Sequence, residues 1–308
     1  MNPGIVVAGS LNMDFVITVE TLPAPGETVL GGDFSIIPDG KGANQANAAG
    51  KLVTAHRVKM IGRVGCDVFA DHLKAGLSSA GVDVSGIIAT RTQPTGTAFI
   101  WVDREGQNSI VVAPGANLAL TPADLPSFRG ARYVLLQLET PLDTVAAALK
   151  QAGREGAKTI LDPAPAQQLS PDLLAAVDIL TPNETEAAIL LGRKPSRVTI
   201  AEAPALARAV HALGPKAVIL KLGDRGCLYW DGQTETYSPP FAVEAKDTTA
   251  AGDTFNAALA VALAEDQPIP QALRFANAAA AISVTRKGAQ SSAPTRKEVD
   301  QLLGAGGH

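Results

Sequence analysis

The sequence predicts an α/β fold in which helices cover both faces of a mostly parallel sheet. Short apolar runs rich in β-branched residues alternate along the chain with longer segments of helical period, a pattern typical of parallel strands joined by helical crossovers. The length of 308 residues suggests one large domain or two small ones, and no linker separates two units. Apolar residues make up 46% and charged residues 18%, the ordinary range for a globular protein.

The pattern assigns the elements of the main sheet in order. The predicted strands are residues 5–8, 59–62, 133–138, 159–161, 179–181 and 217–221. The predicted helices are residues 42–52, 68–80, 142–152, 171–177, 184–191 and 203–213. Because the strands are continuous apolar runs, both faces of the sheet must be covered.

Two stretches break this rhythm and favour antiparallel strand pairs with no helix between them. They are residues 15–37 and 95–112, the second with Gly106 and Asn108 among its turn residues. These strands either pack at the edges of the main sheet or form a small separate sheet. A separate sheet would cover an exposed apolar face, over a ligand cleft or against another subunit.

The composition excludes several functional classes. Lys and Arg number 26 against 30 Asp and Glu, and they form no cluster, which argues against a nucleic-acid partner. Cys66 and Cys227 are too few for a disulfide framework, and we expect reduced thiols in the core. There is no apolar stretch of about 18 residues and no recognisable secretory signal, so we expect a cytoplasmic protein with no membrane partner.

The most informative segment is residues 246–255, where small residues run into a long apolar helix. Backbone N–H groups at such a helix start are free to face an anion. Asp253 there is explained either as a carboxylate favoured by the helix dipole or as a base beside a phosphate cradle. The density of small residues and a second acid upstream, Asp247, favour the base, which accepts the proton of an attacking hydroxyl.

A second segment places Gly40, Lys41, Gly42 and Asn44 just before a predicted helix. The glycines permit close backbone approach. The segment is neither a Walker A loop nor a dinucleotide fingerprint, which disfavours a dehydrogenase. A capping turn with a surface lysine explains it equally well.

Three polar residues sit where strands begin or end. Asn12 and Asp14 alternate with apolar residues, so both side chains project from one side of an extended segment. They suit vicinal sugar hydroxyls, although an Asx turn is at least as common an explanation. Glu139 ends an apolar strand, where ligands of open α/β sheets gather, or it is a helix-start acid.

Two further strand ends suit a nucleotide. Asn183 and Glu184 are explained by helix capping, whereas Glu186 could also organise a hydrated Mg²⁺ near phosphates. The turn from Lys221 to Gly226 either admits a nucleotide or is a simple β-turn.

Together these segments resemble the ribokinase family of carbohydrate kinases over nearly the whole chain. Residues 40–46 resemble its first signature and 247–255 its second, and residues 181–184 and 284–290 are also similar. The resemblance implies a three-layer α/β sandwich as a single domain over residues 1–308, with a small β lid from strands at about 15–37 and 95–112. It also implies ATP-dependent phosphorylation of the 5-hydroxyl of D-ribose, Mg²⁺ and K⁺ as cofactors, and a homodimer formed through the lid.

The resemblance assigns roles to individual residues. The catalytic group is the base Asp253 with an anion hole of backbone amides at Ala250, Ala251 and Gly252. The sugar would be bound by Asn12, Asp14, Gly40, Lys41, Gly42, Asn44, Glu139 and Asp253. ATP would be bound by Asn183, Glu186, Lys221, Gly223, Asp224, Arg225, Gly226, Gly252 and Asn277. A K⁺ site, largely of backbone carbonyls, would involve Asp247, Thr249, Ser283, Arg286, Gly288 and Ser292.

Asp39 departs from the family pattern, which usually has two glycines before the lysine. The position lies at the hinge of the lid, and Asp adopts positive φ less readily than Gly. Its carboxylate also lies beside Lys41. We therefore expect stiffer lid closure or an altered sugar preference.

Other activities stay open at this point. One is a related kinase acting on 2-deoxyribose, another pentose or ketose, or a nucleoside such as pseudouridine, because a single hydroxyl contact decides the substrate. The other is a sugar-binding protein without catalytic activity on the same fold.

Overall fold

The computed structural model describes residues 4–305. Its strands are β1 (Ile5–Ala8), β2 (Asn12–Val19), β3 (Gly31–Asp39), β4 (Val58–Gly65), β5 (Val82–Thr90), β6 (Gly96–Val102), β7 (Asn108–Ala113), β8 (Tyr133–Leu136), β9 (Lys158–Leu161), β10 (Ile179–Leu180), β11 (Ala217–Lys221), β12 (Cys227–Trp230) and β13 (Glu235–Ser238). Its α-helices are α1 (Lys41–Leu52), α2 (Val68–Ser79), α3 (Leu142–Glu155), α4 (Pro171–Leu174), α5 (Glu184–Leu190), α6 (Ala203–His211), α7 (Ala251–Ala264), α8 (Ile269–Ser283) and α9 (Arg296–Ala305).

The main sheet has nine strands in the order β13-β12-β11-β10-β9-β8-β1-β4-β5. Neighbouring strands from β11 to β5 are parallel, whereas β12 and β13 add an antiparallel edge. This confirms the predicted mostly parallel sheet, and β1 and β11 have the predicted bounds. The sequence pattern did not predict β5, β12, β13, α8 or α9.

Alternate residues of the central strands supply two cores, one on each side of the sheet. Ile5 and Val7 of β1 face a core that includes α1, α2, α7 and α8. Val6 and Ala8 face a second core that includes α3, α5 and α6. Because successive strand side chains point to opposite faces, the all-apolar strand requires both helix layers. The three-layer sandwich is therefore confirmed.

Helix α7 is the innermost helix, since every residue from Asp253 to Ala264 is buried. A helix that is apolar all round has no solvent face and must be enclosed by other elements. Its alanines let α1 and α8 pack closely against it. Asp253, in the first turn of α7, therefore lies in the protein interior.

Strands β2, β3, β6 and β7 form a separate four-stranded sheet, called the small sheet below, in the order β3-β2-β6-β7. Its outer pairs are antiparallel, and β2 and β6 in the centre are parallel. The small sheet exposes apolar side chains, among them Phe34, Ile36 and Val111 at 50–58%. Of the two arrangements left open by the sequence, the strands adopt the separate sheet.

Two further expectations concern thiols and membranes. Cys227 is buried in the main core, but Cys66 is exposed, so the expectation of two core thiols is wrong for Cys66. Cys66 follows the end of β4, where the chain leaves the sheet. Within residues 4–305, no helix combines the length and apolar character needed to cross a membrane.

Candidate active site

The carboxylate of Asp253 is anchored between two helices. Its Oδ1 accepts a hydrogen bond from Gln45 Nε2 at 3.0 Å, and its Oδ2 accepts one from Asn44 Nδ2 at 3.1 Å. Both donors lie in the first turns of α1, directly after the Gly40–Gly42 segment. Gln45 is itself oriented by Gln137, whose Nε2 donates to Gln45 Oε1 at 2.7 Å. The two signature segments, some 200 residues apart, thus meet at one carboxylate.

Burial raises the pKa of Asp253 to about 7. The charge of Lys41 and the two amide donors lower it, and the negative charge of Asp162 raises it. A carboxylate poised near neutral pH can take a proton from a hydroxyl group.

Asp162 was missed by the sequence analysis. It follows β9 and is 3% exposed. Its Oδ1 accepts from Lys221 Nζ at 2.9 Å, and its Oδ2 accepts from Gln45 Nε2 at 3.3 Å. A Cβ placed on Gly252 would lie 3.4 Å from Lys221 Nζ, so this ammonium group lies at the start of α7. Asp162 directly follows a predicted strand, and ligands of α/β sheets bind at such strand ends, so its position could have identified it from the sequence.

The pKa of Lys221 is raised. Burial alone would lower it, but the carboxylates of Asp162, Glu186 and Asp253 outweigh burial and keep the ammonium charged. A buried cation beside open helix N-terminal amides is suited to phosphate oxygens.

The anion hole predicted at Ala250 to Gly252 has an unusual backbone. Ala250 caps α7 with φ of 55°, in the left-handed region that non-glycine residues rarely adopt. Ala251 N donates to Thr248 O at 3.3 Å. Gly252 lies in the first helical turn, where amides have no intrahelical acceptor.

Gly40 and Gly42 let α1 begin against the turn between β1 and β2. Gly40 has φ of 95°, and a Cβ there would lie 2.7 Å from Asn12 N. A Cβ on Gly42 would lie 2.6 Å from Ser10 N. Backbone atoms cannot yield at such distances, so both positions require glycine.

Lys41 belongs to the site and is not the surface lysine of a capping turn. Burial would lower its pKa, but Asp253, Asp162, Glu139 and Asp39 together raise it. Its backbone N–H donates to Glu139 Oε2 at 3.1 Å. Ser10 Oγ donates to the same oxygen. Glu139 therefore links the start of α1 to the turn after β1.

Asn12 and Asp14 lie on one face of β2, and both are 5% exposed. Asn12 Oδ1 accepts from Asn117 Nδ2 at 2.7 Å, and Leu11 N donates to Asn117 Oδ1 at 2.9 Å. Asn117 is a second residue that the sequence analysis missed. Asp14 Oδ1 and Asn44 Oδ1 are buried and have no hydrogen-bond partner. Such orphaned acceptors are costly unless a ligand supplies donors, as sugar hydroxyls would.

Asp39 is the last residue of β3 and has an extended backbone, whereas the non-glycine residues with positive φ within 4–305 are Ala250 and Asp266. The conformational reason given for Asp39 therefore does not apply to this backbone, and stiffer lid closure or an altered sugar preference stays a prediction. The carboxylate of Asp39 contacts the site directly, since Asn44 Nδ2 donates to Asp39 Oδ1. Burial, followed by the charge and hydrogen bond of Asp39, raises the pKa of Asp14 to about 9.

The turn after β11 has glycines at both ends, Gly223 with φ of 60° and Gly226 with φ of 81°. A Cβ on Gly226 would lie 2.1 Å from Ser238 O, so the turn rests on the end of β13. Asn277 Nδ2 donates to Ser238 Oγ at 3.0 Å. Asn277 therefore ties α8 to the end of β13, on which this turn rests.

Asp224 and Arg225 line a cleft of about 400 Å³ beside this turn. Arg225 pairs with Glu184 at 2.5 Å, and exposed Asp224 lies 3.5 Å from Arg197. Asp253 and Lys41 do not line the cleft.

Asn183 and Glu186 form a reciprocal capping box. Asn183 N donates to Glu186 Oε2 at 2.7 Å, and Glu186 N donates to Asn183 Oδ1 at 2.8 Å. Capping therefore accounts for Glu186, not for Glu184 as the sequence suggested. Burial raises the pKa of Glu186, and the charge of Lys221 opposes this.

The residues assigned to K⁺ lie in two segments joined by one carboxylate. Asp247 Oδ1 accepts from Thr249 N at 2.9 Å, and its Oδ2 accepts from Gly288 N at 2.8 Å. Ser283 and Ser292 are fully buried, whereas the guanidinium of Arg286 pairs with Glu298. The side chain of Arg286 is thus already paired with a carboxylate. No group of three or more His, Cys, Asp or Glu within residues 4–305 is arranged to hold a metal ion.

Comparison with known proteins gives concordant matches. The family described as pfkB family carbohydrate kinase matches residues 2–296. A ribokinase of Haemophilus influenzae is 42% identical over 98% of this chain and 99% of its own, and one of Bacillus subtilis is 44% identical over 97% and 99%. The structure of Arabidopsis thaliana ribokinase complexed with ribose and ATP aligns with a TM-score of 0.91 at 36% identity, covering 98% of this chain and 99% of that one.

Proposed function

The chain belongs to the pfkB family of carbohydrate kinases, and we propose that it transfers the terminal phosphoryl group of ATP to the 5-hydroxyl of D-ribose, giving D-ribose 5-phosphate and ADP. The observation that carries this proposal is the position of Asp253. Its carboxylate is fixed by Asn44 and Gln45 at the start of α7, where Lys221 Nζ lies beside Gly252. A base and a cationic phosphate site therefore meet at one point.

The chemistry follows from this arrangement. The 5-hydroxyl lies against Asp253, which takes its proton as the oxygen attacks the terminal phosphorus. The N-terminal amides of α7 and Lys221 stabilise the charge on the transferring group. Most of the rate enhancement comes from positioning and electrostatics, because phosphoryl transfer needs little covalent assistance.

The sugar is held between α1 and the small sheet. Asn12, Asp14 and Asn44 supply hydrogen-bonding groups, and the unpartnered oxygens of Asp14 and Asn44 accept from sugar hydroxyls. Lys41 and Glu139 complete the wall. The small sheet acts as the lid, because β2 carries the sugar ligands on the face toward the site.

ATP lies along the ends of β10 and β11, near Asn183 and the Gly223–Gly226 turn. Mg²⁺ would neutralise charge on its phosphates. Glu186 would hold such an ion through water, because each of its oxygens already accepts a hydrogen bond from Asn183. K⁺ fits the 247–249 and 286–292 segments, whose carbonyls and hydroxyls are of the type that replaces its hydration shell.

Two copies pair through the small sheet. Ile36, Phe99 and Val111 lie in one row across the small sheet, with Phe15 of β2 between Ile36 and Phe99, and each of the three is at least 43% exposed. Contiguous apolar residues on a small sheet favour burial against a second copy. Light scattering should give twice the monomer mass, and Val111→Asp should lower it. A monomeric wild type contradicts this assembly.

The test of function is steady-state turnover with Mg-ATP and ribose, measured as the rate of ADP release. Ribose-dependent ADP release with phosphate on carbon 5 supports the proposal. A folded protein that binds ribose without turnover would instead be a sugar-binding protein.

A further inference from the structure

Asp162 uses its two carboxylate oxygens for two different partners. Oδ1 accepts from Lys221 Nζ at 2.9 Å, and Oδ2 accepts from Gln45 Nε2 at 3.3 Å. The same Gln45 nitrogen donates to Asp253 Oδ1 at 3.0 Å. A continuous chain of contacts therefore runs from Lys221 through Asp162 and Gln45 to Asp253.

The burial of this chain makes it rigid. The Asp162 side chain is 4% exposed and that of Lys221 13%. Gln45 is 1% exposed, and Gln137 fixes its amide from the other side. A long lysine side chain has many rotamers, so an ion pair at its tip is needed to keep Nζ beside Gly252.

We propose that Asp162 is a positioning residue for phosphoryl transfer, one oxygen holding Lys221 at the phosphate-binding start of α7 and the other steering Gln45 toward the base Asp253. The proposal rests on the function proposed above and adds a role that it does not require. Asp162 touches neither substrate; it acts through Lys221 and Gln45.

The charges that face Asp253 determine what each variant does. They come from Lys41 on α1, Asp162 after β9 and Lys221 at the end of β11. Removing the Asp162 charge lowers the pKa of Asp253, whereas removing the Lys221 charge raises it. The acidic limb of the pH–rate profile should therefore move in opposite directions in Asp162→Asn and Lys221→Met. We expect about one pH unit each way.

Turnover and binding provide independent readouts. Asp162→Ala should lower kcat by about 10²-fold with little change in ribose KM, because it misplaces groups that act in the transition state. Lys221→Met should weaken binding of the imidotriphosphate analogue of ATP by about tenfold in calorimetry, and Asp162→Asn should weaken it less, because the asparagine oxygen can still accept from Nζ. The double variant Asp162→Asn/Lys221→Met removes both buried charges, so it should fold. The acidic limb of its pH–rate profile should return to the wild-type pH, and its kcat should stay low.

The outcomes are separable. If the acidic limbs of Asp162→Asn and Lys221→Met move together or stay in place, the Asp162–Lys221 pair is merely structural. The same follows if Asp162→Ala has the wild-type kcat. Unchanged analogue binding in Lys221→Met would remove Lys221 from the phosphate site. If the wild type phosphorylates no ribose, the function fails, and the analogue-binding comparison still decides the role of Lys221.

Discussion

Asp253→Asn is the substitution with the best-defined consequence. Both carboxylate oxygens accept from side-chain amides, Asn44 at 3.1 Å and Gln45 at 3.0 Å. An asparagine has one acceptor and one donor, so one of these amides would face another N–H group. The lost buried hydrogen bond costs about 1–3 kcal/mol. The loss is partly offset, because burial of the ionised carboxylate is itself unfavourable, as its raised pKa shows.

The catalytic loss should be much larger than the structural one. A positioned general base contributes about 10²–10⁴-fold, which is about 3–5 kcal/mol of barrier. We expect kcat to fall by that factor and the ribose KM to stay within a few-fold. The melting temperature should change by less than about 5 °C.

The pH dependence gives a second signature. Burial raises the pKa of Asp253 to about 7, and a general base acts in its ionised form, so wild-type activity should fall as the pH drops through 7. The residual activity of Asp253→Asn should lack this limb. Because the raised pKa favours the protonated carboxyl in the folded state, Asp253 lowers the free energy of unfolding of the wild type progressively as the pH rises from 3.8 to 7. Asp253→Asn should not show this loss of stability.

Asp178→Asn is the matched control. Asp178 accepts from Thr159 and Lys216 just before β10, at the opposite end of the sheet. Its variant should keep wild-type kcat and pH profile. An Asp253→Asn enzyme within tenfold of wild type, with the acidic limb intact, would refute the assignment of the base.

Three other substitutions test the sugar site, the glycine at the start of α1 and the cation site. Asp39→Gly should lower the pKa of Asp14 and change the KM for at least one pentose several-fold; identical kinetics for every pentose would refute a role for Asp39. Gly40→Ala should cost about 1–3 kcal/mol in denaturant unfolding, whereas Gly153→Ala, where nothing lies within 4 Å, should not destabilise. We expect K⁺ to raise wild-type activity and Asp247→Ala to abolish that increase, and unchanged stimulation of the variant in rate assays with K⁺ and with Na⁺ would contradict the cation site.

The main sheet was predictable because its signals are local. A strand buried on both faces is apolar, as β1 is throughout and β11 is up to its last residue, Lys221. β5 was missed because it is an edge strand with polar residues on one side, and its burial alternates with exposure. β12 and β13 carry no crossover helix and so do not fit a βαβ rhythm.

The site was predictable only where residues lie in short motifs. Asp253, Lys41 and Asn44 stand next to the glycines that position them. Asp162 and Asn117 were missed, because their roles depend on contacts with residues about 60 and 105 positions away. Sequence spacing carries no information about such contacts.

Asp39 illustrates the opposite error. Its substitution for glycine suggested a backbone conformation, but the position is extended, and what differs is a carboxylate beside Asp14. A residue's identity shows which conformations are permitted, whereas the register of β2 and β3 determines which one is adopted.

The most direct test of the account is the identity of the phosphorylated product. The protein is incubated with Mg-ATP and, separately, ribose, 2-deoxyribose, fructose, adenosine and pseudouridine, with and without K⁺; ADP is quantified and the product is identified by ³¹P and ¹H NMR. We expect ribose to give the highest turnover, with phosphate on carbon 5. Preferred phosphorylation of another acceptor, or no ADP from ribose by folded protein, would contradict it.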